Sequence, residues 1–554
     1  MRSPLRPRHV RRVLCVFPAY APSFGTFSHA LKLAGAGAFM PPQGLLLIAG
    51  YLPESWPVRF IDENVRPASA ADFEWADAVF ATGMHIQAAD IHDICDRAHA
   101  AGKTAVLGGP SVSSAPETYP EYDYLHIGEI GDATDELIAR LDDGERRPAS
   151  QVRLVTGTRL PLTDFPIPAY DLIRFDRYLL GTLQFSSGCP YLCEFCDIPN
   201  LYGRQPRIKS PSQLIAELDV IFSQKSPPAA IYFVDDNFIA NRKAAREMLP
   251  HLIAWQKRRD FPVSFYCEAT LNLAKQPKIL EMMREARFET VFVGIESPEL
   301  DALKAMHKEH NASLPMMEAI RTLNGYGLEV VSGIILGLDS DTAATEQQLK
   351  DFIDRAQIPL LTINLLQALP KTALWERLAR AGRLIEDGER ESNVDFLRPY
   401  EDVIGSWRRC IEYAYQPPRL YRRLIHQLDA TYRHRLPPTT ARATRSNLKR
   451  GLKLMANLLL RVGLLADYRI WFWRAAREAY KRGRLADLIS IGFVSHHLIE
   501  FSREALRGDQ NASFYSARSR RGRATAHGRP LGSHAARPAR PPTALIEAPR
   551  DASS

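Results

Sequence analysis

The chain has 554 residues, 45% of them apolar and 24% charged, with a net charge of +8; at about 150 residues per domain this makes three or four ordinary globular domains. Seven cysteines are too few for a disulfide scaffold, and the absence of any run of about 18 apolar residues excludes a simple transmembrane helix. The basic start MRSPLRPRHVRR is followed by no apolar signal-peptide core, so a cytoplasmic location is expected, with membrane contact only from the surface.

Residues 10–145 alternate short apolar runs with helical stretches: VLCVF (13–17), VRFID (58–62), AVFATG (78–83), TAVLGG (104–109) and YLHIG (124–128). Five strands with intervening helices predict an α/β unit with a doubly wound parallel sheet. Such sheets bind ligands beyond the carboxyl ends of their strands. Those ends carry polar and Gly-rich turns: Pro18 to Phe27, Asp62-Glu63-Asn64, Gly83-Met84-His85, Gly108-Gly109-Pro110-Ser111 and Gly128-Glu129. One such turn is only a tight connection; five converging ones favour a cofactor-sized crevice. Residues 146–180, with Pro161, Pro166 and Pro168, read as a linker.

Residues 181–382 hold six further strand candidates, LQFSS (183–187), AIYFV (230–234), VSFYCEA (263–269), TVFVGIE (290–296), EVVSGIILG (329–337) and LTINLLQ (361–367), separated by helical patterns. They predict a partial (β/α)6 barrel with its site at the carboxyl ends of the strands. Residues 383–510 read as wholly helical. Residues 511–554, rich in Arg, Ala, Pro and Ser without periodicity, are expected to be a disordered basic tail. Within the helical region, residues 448–484 mix apolar faces with many Arg and Lys around Trp471, Phe472 and Trp473. The segment suits a lipid interface and equally suits packing on the barrel. No aromatic stacking module accompanies the basic tail, so nucleic acid is not an expected partner.

The first barrel strand runs into Ser187-Gly188-Cys189-Pro190-Tyr191-Leu192-Cys193-Glu194-Phe195-Cys196. Three thiolates on one loop can hold three irons of a cubane and leave the fourth open. A zinc site with a distant fourth ligand is the alternative, although no second Cys pair or His-x3-His accompanies it. Cys15, Cys95, Cys267 and Cys410 lie in or beside apolar stretches and read as buried structural thiols.

This spacing, with an aromatic residue before the last Cys, resembles the radical S-adenosylmethionine (SAM) superfamily. The resemblance implies a [4Fe–4S] cluster on Cys189, Cys193 and Cys196, with SAM on the open iron and Phe195 near the adenine. It implies SAM contacts from Asp235, Asp236 and Asn237, where the usual Gly-Gly-Glu is absent. It implies further contacts from Glu268, from Glu296 in Gly-Ile-Glu-Ser, and from Gly333 to Gly337. Each carboxylate alone also suits a salt-bridged or surface position.

The unit ahead of the barrel resembles the cobalamin-binding domain of radical SAM methylases. That implies a crevice formed by Asp62, Asn64, Gly83, Gly108, Gly109, Ser111, Gly128 and Glu129. The Asp-x-His-x-x-Gly motif of other cobalamin proteins is missing, so methylcobalamin is expected to bind without that lower ligand. Together the cofactors imply methylation of an unactivated sp3 carbon, with electrons from a reductase, ferredoxin or flavodoxin. Phe39 to Gly44, Leu201 to Arg207, Asp235 to Phe238 and Gln510 to Ser513 resemble the bacterial hopanoid C-2 methylases, which implies a lipid substrate. A radical SAM cyclase and an iron–sulfur or cobalamin sensor are the competing readings.

Overall fold

The computed structural model describes residues 7–143, 147–385, 387, 390–437 and 445–508. The basic tail and the Gln510 to Ser513 segment lie outside the described residues. Two open parallel sheets form the frame. The first runs β2-β1-β3-β4-β5-β6, with β1 Val13–Phe17, β2 Val58–Asp62, β3 Ala78–Thr82, β4 Thr104–Gly108, β5 Tyr124–Ile127 and β6 Val152–Val155. Every residue of β1 is buried, as expected of a central strand covered by helices on both faces. The strand order reverses between β1 and β3, which opens a crevice at their carboxyl ends. The sixth strand was not foreseen: VRLV, in the stretch read as linker, pairs with β5 in parallel from Tyr124–Val152 to Ile127–Val155.

The second sheet runs β14-β13-β12-β11-β10-β7, the order of a partial barrel. Its strands are β7 Gly181–Leu183, β10 Ala230–Phe233, β11 Ser264–Glu268, β12 Phe288–Glu296, β13 Glu329–Leu336 and β14 Leu361–Leu365. The run expected as one strand over 183–187 is divided. β7 stops at Leu183, and β8 Ser186–Ser187 turns away to pair antiparallel with β9 Arg207–Ile208. The helix Pro211–Ser223 that follows has a capping box, with Gln213 N–H donating to Ser210 Oγ and the Gln213 side chain bonding back to Ser210 N–H, both 3.3 Å, and Pro211 in its first turn.

The region from 383 is not wholly helical. Residues 383–385 and 390–399 are irregular, with a bridge between Leu384 and Val394, and Phe396 closes onto Gly337. That close approach needs glycine: φ is +89° there, and a Cβ would lie 2.5 Å from the Phe396 ring. Helices follow at Tyr400–Tyr415, Pro417–Ala430, Arg445–Leu458, Arg469–Lys481 and Leu488–Arg507. The first covers the exposed barrel edge, its Trp407 Nε1 donating to Ile363 O of β14 at 2.8 Å. Cys15, Cys95, Cys267 and Cys410 are all buried.

Loops at the carboxyl ends of the two sheets meet. Glu129, just past β5, pairs with Arg207 of β9 (2.6 Å) and with Arg159 (3.1 Å). Arg159 also donates to Leu201 O and Tyr202 O, and Lys371, past β14, donates to Ser113 O, each at 3.0 Å. The two sets of strand ends therefore face one another.

Candidate functional site

The cysteine loop is shaped by the end of the second barrel strand. Asp235 Oδ1 accepts the N–H groups of Phe185 (2.7 Å) and Ser186 (2.9 Å), and Asp236 Oδ2 accepts Gly188 N–H at 2.7 Å. Gly188 has φ +95°, and a Cβ there would come within 2.9 Å of Gly203 O; Cys189 N–H donates to that same carbonyl at 3.2 Å. The far side is tied by Glu194, whose N–H donates to Met306 O (3.1 Å), whose carbonyl accepts Leu374 N–H (2.9 Å) and whose carboxylate pairs with Arg377. Arg377 and Arg383 share Asp339, both at 2.7 Å.

Burial pushes up the thiols of Cys189, Cys193 and Cys196; the Asn237 side chain bonds Cys189, and each later thiol feels the charge of the earlier ones. Among the described residues, no three His, Cys, Asp or Glu side chains converge on a single ion. Phe195 lines an open cleft with Ala302, Met306, Leu338 and Leu374, its rim carrying Glu194, Asp339 and Arg377.

Lys308 is the residue that pattern reading missed. Its Nζ lies 2.6 Å from Glu296 Oε1 and 5.4 Å from the Phe195 ring centroid. Burial disfavours its charge, but Glu296 and the thiols of Cys193 and Cys196 outweigh that and raise its pKa. Gly294 makes the pair sterically feasible, since a Cβ there would sit 2.3 Å from Glu296 Oε1 and 2.7 Å from Lys308 Nζ. A lysine in an irregular loop gives no periodic signal, so only the fold reveals it. Tyr191 stacks on His310 at 3.7 Å, and its hydroxyl accepts from Asn272 Nδ2 at 2.6 Å.

The structure thus gathers the three cysteines, Phe195, Asn237 and Glu296, and puts Asp235 and Asp236 beneath the loop, bonded to its backbone. Burial raises Asp235 to about 7 and Asp236 to about 6. Glu268 accepts from Tyr232 Oη at 3.2 Å and is raised by burial to about 7. Gly333 lies beside Glu296 Oε2, at 3.6 Å from a notional Cβ.

At the other crevice, Asp62 and Asn64 tie strand ends together. Asp62 Oδ1 accepts from Asn64 Nδ2 (2.7 Å), and Asn64 Oδ1 accepts Tyr20 N–H (2.7 Å). Burial raises Asp62 to about 6. Gly83, Gly108, Gly109 and Gly128 keep the rim bare; Gly109 (φ +96°) is demanded by Thr82, whose Oγ1 would be 2.1 Å from a Cβ. Ser111 Oγ meets Tyr119 Oη (2.5 Å) and His85 Nδ1 (3.2 Å), while His85 Nε2 is buried. Glu129 stands at the seam between the two crevices.

This fold and thiol loop define a radical SAM protein carrying a B12-binding unit. The description "Radical SAM superfamily" matches residues 183–353, "B12 binding domain" matches 32–138, and "Domain of unknown function (DUF4070)" matches 372–511. Within that class, the chain belongs to the family of the hopanoid C-2 methylase of Rhodopseudomonas palustris (strain TIE-1), to which it is 56% identical over 512 residues, 92% of this chain and 97% of that protein. Two solved structures share the fold at 15% identity. The cobalamin-dependent SAM radical enzyme OxsB, with aqua-cobalamin and SAM bound, has a TM-score of 0.57 and covers 91% of this chain and 81% of its own. The radical SAM methyltransferase TsrM from Kitasatospora setae, with cobalamin and a [4Fe–4S] cluster bound, has a TM-score of 0.53 and covers 90% and 100%.

Proposed function

We propose that the protein is a radical SAM C-methyltransferase that uses a [4Fe–4S] cluster, SAM and cobalamin to methylate C-2 of a hopanoid lipid. The observation that carries this reading is the facing of the two crevices across the Glu129 seam. When bound, the cofactors supply a carbon-centred radical and a methyl group; the protein supplies geometry and exclusion of water.

The residues fit those groups. Three desolvated thiols on one loop, each feeling its neighbours, suit a cubane, which asks each thiolate to reach a different iron. Asp235 and Asp236 set the loop, and Asn237 steadies Cys189. Lys308 fixes Glu296 beside the thiols and lowers the cost of their negative charge. The Phe195 ring, with Leu338 and Met306 beside it in the cleft, offers an apolar face against which a flat base could pack. In the division proposed here, residues 10–145 hold the corrinoid on a rim of backbone and small side chains, 181–382 hold the cluster and SAM, and the helices from 383 complete the substrate side. A cytoplasmic location, peripheral on the inner face of the membrane, and a ferredoxin, flavodoxin or reductase donor belong to the same reading.

The test is a lipid profile with an in vitro counterpart. Deleting the gene should remove 2-methylated hopanoids and leave the parent hopanoids, and reconstituted protein should move label from methyl-labelled SAM to the lipid. Unchanged lipids would overturn the substrate; no labelled lipid together with a ring-closed product would overturn methyl transfer.

A further inference from the structure

The segment 445–485 carries eleven Lys and Arg against two acids. In the structure it is a hairpin: the helix Arg445–Leu458, a wider turn of helix Leu459–Leu465, and the helix Arg469–Lys481. Its inner face is already spent on packing, with Leu458, Val462, Phe472, Ala475 and Ala479 fully buried. Leu458 and Phe472 press against Gly492 so closely that a Cβ there would lie 2.6 Å from Leu458. Yet the outer face of the apex is apolar too. Leu464 is 63% exposed, Ile470 70%, Trp473 50%, and Leu460 and Leu465 are likewise open. Trp473 is anchored by its Nε1 donating to Gly463 O at 2.8 Å. Packing on the barrel accounts for the first face and not for the second.

The charges around this apex choose the occupant. Asp467 is engaged by Arg503 (2.8 Å) and Glu478 by Arg482 (2.6 Å). Arg461, Arg469 and Arg477 are exposed and enter no ion pair among the described residues. A second copy of this surface would set base against base. An anionic bilayer satisfies both features, because leucines and a tryptophan enter the acyl boundary while the bases meet phosphates. Among the described residues no helix is long and apolar enough to cross a membrane, so the contact is with one surface.

We propose that the apex Leu459–Trp473 docks the protein onto the face of an anionic phospholipid bilayer. The docking deepens the lipid-methylation reading and rests on it only for its purpose. The hairpin packs on the helix Ser28–Ala34, with Asn457 Nδ2 donating to Leu33 O at 2.9 Å. That helix ends the loop that leaves β1 at the first crevice, so a bilayer-borne substrate would enter close to where the hairpin seats.

The experiment is flotation of the full-length protein with vesicles of phosphatidylglycerol and phosphatidylcholine in equal parts, against vesicles of phosphatidylcholine alone. Wild type should float with the anionic vesicles and lose binding at high salt. Leu464→Asp/Ile470→Asp and, separately, Arg461→Glu/Arg469→Glu should each weaken binding by more than about tenfold. All four positions are exposed, so both variants should keep the wild-type melting curve, and both should still methylate hopanoid presented in detergent micelles. Variants that float like wild type, a wild type that ignores charged vesicles, or an effect on self-association alone would overturn the proposal. A wild type that floats as expected yet methylates no hopanoid in micelles would fail the substrate reading and leave the docking surface intact.

Discussion

Lys308 stands where three parts of the site meet: Glu296 at the end of β12, the Phe195 ring, and the thiols of Cys193 and Cys196. Removing one partner of a buried ion pair leaves the other uncompensated, at a cost of about 3–5 kcal/mol. Lys308→Met should therefore lower the denaturation midpoint and cut SAM cleavage by roughly 10- to 100-fold, the usual cost of losing a group that orients a ligand. The double variant Lys308→Met/Glu296→Gln should recover most of the stability and none of the cleavage, measured as deoxyadenosine released by reconstituted protein. Recovery of both would reduce Lys308 to a packing role. A second residue-scale expectation concerns Gly294: Gly294→Ala puts a methyl group into the Glu296–Lys308 contact and should reproduce the single variant. Gly451→Ala, at an open position of the helix Arg445–Leu458 with nothing within 4 Å, should instead stabilise by about 1 kcal/mol.

At the scale of elements, the glycines of the first sheet are set by the protein's own turns. Gly109 is needed because Thr82 occupies the space of a side chain, so Gly109→Ala should distort the turn after β4 and reduce retention of corrinoid, read by its absorbance after gel filtration, while leaving iron content unchanged. These turns also show what the sequence could and could not disclose. Strands such as VLCVF and AVFAT were legible because a central parallel strand is apolar along its whole length. VRLV was not, because an edge strand with alternating exposure looks like linker beside its prolines. Residues 383–385 and 390–399 were misread as helix; Phe396 there covers Gly337 rather than lining a helical face. Three cysteines on one loop announced themselves through spacing. Lys308 and Arg377 did not, because neither sits in a repeating pattern and the partner of each, Glu296 and Glu194, lies on another element of the fold.

For the molecule as a whole, buried groups set a pH window. Burial raises Asp62 and Asp341 to about 6 and Glu268 to about 7. The native state then binds more protons than the unfolded one between about pH 4 and 7, so these groups cost stability fully above that range, and the cost shrinks as pH falls from their folded values and is gone below about pH 4. Burial also lowers His126 and His496 to about 4 and His497 to about 3. These must stay neutral, so stability is lost as pH falls from about 6.5 toward those values. Asp62→Asn should therefore raise the thermal midpoint of the iron-free chain more at pH 8 than at pH 5; an equal rise at both pH values would contradict this assignment. The seam at Glu129 has a different consequence. The polar contacts at this seam join residues outside the strands of the two open sheets, so their rupture need not unfold either sheet, yet it would widen the gap a reactive carbon must bridge. Glu129→Gln should make the catalyst wasteful: more SAM consumed for each lipid altered, with the excess growing as salt is added.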